Sequence, residues 1–151
     1  MIAAIRRFLA DFSADGDKAA LGEDEHRLAA AALLFHVVAI DGTVSDDERV
    51  VLADVLKQHF GLDPAEVRSL VDAAKTADAE AVDLFGFTSV LKRRLEAVDR
   101  ERIVEMMWKL VFADGRVHEF EDNLVWRVAE LLGVPSQARI RLKQAAREDA
   151  G

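Results

Sequence analysis

Two stretches of this chain, 73 positions apart, carry the same eight-residue pattern. Val38-Ala39-Ile40-Asp41-Gly42-Thr43-Val44-Ser45-Asp46-Asp47-Glu48 aligns with Val111-Phe112-Ala113-Asp114-Gly115-Arg116-Val117-His118-Glu119-Phe120-Glu121, so that both read Asp-Gly-x-Val-x-x-x-Glu. The register extends outward. Arg27 falls on Arg100, Val55 on Val128 and, after one extra residue in the first copy, Gly61 on Gly133. A repeated supersecondary unit of this size does not bury its apolar face alone, so two copies must pack together. An approximate two-fold is the economical arrangement.

The apolar spacing around each motif is helical, and alternating β-branched runs are missing. A nearly all-apolar helix over Glu25–Ile40, through Leu28, Ala31, Ala32, Phe35 and Val38, reads as buried on most sides. Asp41-Gly42 ends it, and a second helix runs from about Ser45 to Gly61. Asp63-Pro64, with Glu66, has the form of an N-cap and first helical position. A further helix is expected from about Asp78 to Leu95, weakened at Gly86 and with Phe85 and Phe87 pointing different ways. Val98–Phe112 repeats the buried style of the first long helix, with Trp108 in the core. His118–Leu132 and a charged helix ending near Glu148 complete the pattern. The prediction is an all-α fold, a duplicated helical-hairpin bundle of about seven helices. Residues 1–24 are read as an N-terminal helix and loop, the loop over Ala14–Glu23. Residues 25–151 are read as one domain with repeats at about 25–61 and 98–133.

Composition narrows the function. At 151 residues one domain can bury a core without staples. With no cysteine, disulfides, thiolate zinc sites and cysteine nucleophiles drop out together, and any metal falls to oxygen or imidazole. A net charge of −8 opposes non-specific nucleic-acid binding. Met1–Asp17, with Ile2, Ile5, Phe8, Leu9 and Phe12 around Arg6 and Arg7, is too short and too amphipathic for a transmembrane span and suits a first packed helix. No glycine-rich phosphate loop or metalloprotease histidine pair occurs, so a non-enzyme is expected, in the cytoplasm.

The chemistry then rests on the acidic loops. Their spacing matches the second half of a calcium loop, but Val37 and Ala39 in one copy, and Leu110 and Phe112 in the other, stand where an EF-hand needs its first ligands. Pooling Asp41, Glu48, Asp114 and Glu121 from adjacent loops would give one oxygen site for a divalent cation, calcium, magnesium or manganese. A capping reading competes with it. Ser45-Asp46-Asp47-Glu48 is a capping box, and Asp-Gly is an ordinary turn dipeptide. The second copy has His118 in place of the serine yet keeps the same acids. The residues alone leave both readings open.

The paired loops, each between a buried apolar helix and an amphipathic one, resemble the TerB-like family associated with tellurite resistance. Val111-Phe112-Ala113-Asp114-Gly115 with Glu121, then Ala129-Glu130-Leu131-Leu132-Gly133-Val134, match its pattern closely, whereas Ile40 stands before Asp41 where that family usually has alanine. The likeness covers roughly Glu25–Leu132. It implies an all-α repeat fold, a stress-response role in the cytoplasm or peripherally at the inner membrane face, and metal chelation by Asp41, Glu48, Asp114 and Glu121. It also brings in a second class of function, an adaptor whose acidic face recognises a protein partner without metal.

Overall fold

The structure, a computed structural model, describes residues 18–40, 44–81, 83–113 and 119–150, apart from the side chains of 18–24, 119, 149 and 150. These residues form seven α-helices and no strand: α1 Lys18–Ala39, α2 Asp46–Phe60, α3 Pro64–Glu80, α4 Phe85–Arg94, α5 Ala97–Val111, α6 Glu119–Leu131 and α7 Ser136–Ala150.

Helix α1 is the axis of the bundle. Every residue from Leu28 to Leu34 is fully buried, because α2, α3, α4, α5 and α6 all touch it. Four consecutive alanines, Ala29 to Ala32, let those neighbours approach without side-chain bulk. A helix enclosed on every side has no polar stripe, which is why its apolar residues run on without the usual interruption.

The duplication is visible in the packing. Helix α3 lies on α1 as α7 lies on α5, so each repeat has three helices rather than two. The buried helices α1 and α5 meet directly, α2 crosses to α5, and α6 crosses to α1, as an approximate two-fold requires. Each second helix stops the same way. Gly61 and Gly133 adopt φ of 64° and 76°, and the next residue's N–H returns to an earlier carbonyl, Leu62 to Lys57 at 3.0 Å and Val134 to Ala129 at 2.9 Å. Leu62 and Val134 are buried beneath those turns. Repeat-equivalent arginines attend both ends. Arg27 stacks on the Phe60 ring at 5.6 Å, and Arg100 donates to the Leu132 carbonyl at 3.0 Å.

An added Cβ would meet nothing within 4 Å at Gly61 and nothing nearer than 3.4 Å at Gly133, so space is limiting at neither position. Alanine at either site should therefore lower stability by about the same 1–2 kcal/mol, the cost of a left-handed backbone for an L-residue. Thermal melts of the two variants test this, and widely different losses would refute a purely conformational origin.

Two expectations need correction. Residues 18–23 were expected in a loop but are helical, Gly22 included, because the helix-forming run Lys18-Ala19-Ala20-Leu21 joins directly onto the heavily buried part of α1. The helix expected from about Asp78 to Leu95 starts later, at Phe85, because the helix that begins at Pro64 runs on through Asp78 to Glu80. Helix α3 ends at Glu80, Ala81 is extended, and α4 starts at Phe85, whose N–H is accepted by the Asp83 carboxylate at 2.9 Å. The break lets α3 and α4 each lay an inner face on α1, and it moves Gly86 from mid-helix into a first turn. The N-terminal helix expected within Met1–Asp17 lies outside the described residues.

Candidate functional site

The two acidic loops are bracketed by four helix ends: the close of α1 and start of α2, and the close of α5 and start of α6. Those ends share one end of the bundle. Glu25, early in α1, accepts hydrogen bonds from Arg93 and Arg94 at the close of α4 (3.0 and 3.2 Å), whereas His36, late in α1, lines a hollow with Leu84 and Phe85 at its start. Helices α1 and α4 therefore run antiparallel. Helix α6 runs with α4, since Leu124 shares that hollow and Gly133, just past its end, approaches Lys92. So α1 finishes where α6 begins. The other pair behaves alike: His59, late in α2, feels the charges of Asp99 and Arg102 early in α5, and Val55 lines a hollow with Lys109.

The motif glutamates occupy equivalent inward positions, Glu48 6% and Glu121 4% exposed. Glu48 completes the capping box, its Oε1 accepting the Ser45 N–H at 3.2 Å while Ser45 Oγ accepts the Glu48 N–H at 3.1 Å. Asp46 and Asp47, between them, are exposed. In the second copy Asp122 accepts a 2.6 Å hydrogen bond from Lys143 of α7, whose ammonium also sits 5.1 Å from the Trp108 ring centre. Asp41, Asp114 and His118 lie outside the described residues, and among the described ones no three His, Asp or Glu side chains form a ligand set.

The family model for tellurite resistance protein TerB matches residues 27–144. The chain belongs to the TerB family. Among solved structures, this TerB domain is similar in fold to a crystal structure of a protein of unknown function from Porphyromonas gingivalis W83. The TM-score is 0.60 at 16% identity, covering 82% of this chain and 95% of that one. No curated protein matches its sequence.

The three described histidines of the TerB domain serve packing. His36 Nδ1 meets the Asp78 carboxylate at 2.8 Å, linking α1 to α3 across 42 residues of sequence. That partnership leaves no local trace in sequence, since neither residue sits in a motif. His26 and His59 both contact the Phe60 ring, His59 edge-on at 4.7 Å. His59 also lines a hollow of about 300 Å³ between α2 and α5 with Arg102, Glu105 and Lys109. Burial first, then the nearby Arg102 charge and to a smaller extent His26, hold its pKa below the usual 6.5, against the opposing effects of Asp99 and Glu105. A base held neutral in the fold takes up its proton first in the unfolded chain, so its contribution to stability is complete above pH 6.5 and falls as the pH drops below it. His59→Gln should flatten the melting temperature between pH 7.5 and 5 relative to the parent. An unchanged slope would show that His59 titrates alike in both states.

No described helix is long and apolar enough to cross a membrane.

Proposed function

We infer that this TerB-family domain is a non-catalytic stress-response protein that binds a divalent cation, calcium, magnesium or manganese, at its paired acidic loops. Asp41 and Asp114 would supply the outer carboxylates, with Glu48 and Glu121 at the helix starts beneath them. The observation that supports this most is the convergence of the four helix ends that bracket both loops at one end of the bundle. Carboxylate oxygens from two loops are the donors that hard cations select, and one loop alone offers too few. The protein would work in the cytoplasm or peripherally at the inner membrane face.

The test is calorimetric titration of metal-stripped protein with calcium, magnesium, manganese and zinc, beside an Asp41→Asn/Asp114→Asn variant. Saturable binding lost in the variant, with helicity unchanged by circular dichroism, is the expected result. Silence toward every ion would leave the loops as turns and caps.

The second reading is an adaptor whose acidic end recognises a protein without metal. It is favoured by the Ser45–Glu48 capping box, which accounts for Glu48 with no ion, and by the exposure of Asp46 and Asp47 beside it.

A further inference from the structure

The run Lys92-Arg93-Arg94 closes α4 at the end of the bundle opposite the acidic loops. Glu25 of α1 holds two of the three, Arg93 at 3.0 Å and Arg94 at 3.2 Å. Lys92 reaches instead to the turn that ends α6. Its Cε lies 3.7 Å from the point where Gly133 would carry a Cβ, and Nη1 of Arg100, near the start of α5, lies 3.4 Å from that same point. Two cationic side chains therefore meet over one exposed glycine.

Neither charge is compensated. Lys92 and Arg100 form no ion pair among the described residues. Glu25 is taken by Arg93 and Arg94, Asp99 faces Arg102 at 4.0 Å, and Glu101 meets Arg141 at 2.8 Å. Glu96 and Glu130 are exposed and pair with neither cation. The Arg100 guanidinium is fixed in place yet under-bonded. Nη1 donates to the Leu132 carbonyl at 3.0 Å, and Nε is closed off with no acceptor. Nη2 and the second Nη1 proton remain for an acceptor from outside. Arg100 is half-buried and Lys92 exposed, so one cation is held while the other can close on a ligand.

The duplicated fold does not demand this arrangement. Arg27, the repeat equivalent of Arg100, lies against the Phe60 ring at 5.6 Å, and nothing comes within 4 Å of a Cβ at Gly61. In the second copy Leu132 stands where Phe60 does and offers no ring, and Lys92 falls on Ala19. Two like charges held side by side repel, yet a chain of net charge −8 places no paired carboxylate between them.

We propose that Arg100 and Lys92 bind a phosphate group over the Gly133 turn. A phosphate monoester carries about −1.5 to −2 at pH 7, which matches two uncompensated cations where a carboxylate matches one. The guanidinium presents N–H donors in the geometry that phosphate oxygens accept, and the lysine adds a mobile ammonium. Glycine at the turn leaves the ligand room, with no side chain of its own to hold an anion off. Because these residues lie at the other end of the bundle from the acidic loops, the proposal stands or falls independently of cation binding.

The test is titration of the full chain with inorganic phosphate, at constant ionic strength set with sodium chloride, following the Arg100 Nε–H resonance by NMR. The expected result is a saturable shift that chloride alone does not produce. Lys92→Gln should weaken phosphate binding about tenfold, the loss of one charge-assisted hydrogen bond. Lys92 is exposed and pairs with nothing, so circular dichroism and the melting temperature of that variant should match the parent. Arg100→Lys, which keeps the charge and removes the fork, should weaken binding as well. No saturation, an equal response to chloride, or binding indifferent to Lys92→Gln would overturn the proposal. Sedimentation with phosphatidylcholine vesicles, with and without phosphatidic acid, separates the two sources of such a group. Phosphatidic-acid-dependent binding lost in Lys92→Gln would assign the phosphate to a lipid headgroup, and saturation by inorganic phosphate without vesicle binding would assign it to a soluble ligand.

Discussion

Ala29→Arg should unfold this protein or bring it to the edge of unfolding, while the reverse exchange at the equivalent position, Arg102→Ala, should leave it nearly unchanged. The two positions are 73 residues apart and coincide in the repeat register. Ala29 is fully buried on α1, which α4 and the other helices enclose. Arg102 projects from α5 with its side chain 60% exposed and only a 4.0 Å approach to Asp99. A guanidinium forced into the first environment is both too large and without a counter-charge, and the loss should be about 4 kcal/mol or more. Small domains hold roughly 5–15 kcal/mol in total, so that one change consumes much of the stability. The exposed exchange should fall within about 0.5 kcal/mol of the parent. Urea denaturation followed by circular dichroism measures both, and similar losses would show that the two copies are enclosed alike.

Trp108→Ala is expected to cost about 3–5 kcal/mol, the range for deleting a fully buried large aromatic. The ring is fully buried on α5, stacks on Phe112 with centroids 5.9 Å apart, and lies beneath the Lys143 ammonium of α7. Its loss would open the contact between α5 and α7 that holds the third helix of the second repeat. The indole Nε1 finds no acceptor among the described residues, so it contributes area rather than a hydrogen bond. Trp108→Phe, which removes only part of the indole and leaves a smaller cavity, should accordingly cost clearly less than Trp108→Ala. If phenylalanine proved as damaging as alanine, a polar role for the indole N–H would have to be sought.

The helix boundaries that were legible in sequence are those enforced by local chemistry. Asp63-Pro64 with Glu66 is read as a cap and is one, with the Glu66 N–H donating to Asp63 at 2.8 Å. Ser45 with Glu48 behaves the same way, and Gly61 and Gly133 supply the left-handed ends. Phe85 and Phe87, two residues apart on a helix, were expected to diverge and do, one exposed and one buried. Illegible boundaries lack such local signals. The boundary between α3 and α4 falls later than the apolar spacing suggests, and the early start of α1 crosses a glycine. In the candidate site, the inward placement of Glu48 and the partnership of His36 with Asp78 were within reach of sequence only in part. A capping box is local, whereas the His36–Asp78 pair spans 42 positions.

The sequence by itself determined that this chain is helical, duplicated and of the TerB type, because hydrophobic period, caps and the repeated Asp-Gly-x-Val-x-x-x-Glu motif are properties of neighbouring residues. Tertiary structure alone decided that the two copies are unequal. Helix α4 can cover one buried helix and not its twin, so equivalent positions become Ala29 in a sealed core and Arg102 on an open face, and Phe85 of α4 is left facing solvent. Burial is a property of whichever element arrives from elsewhere in the chain, and a local pattern carries no record of that arrival.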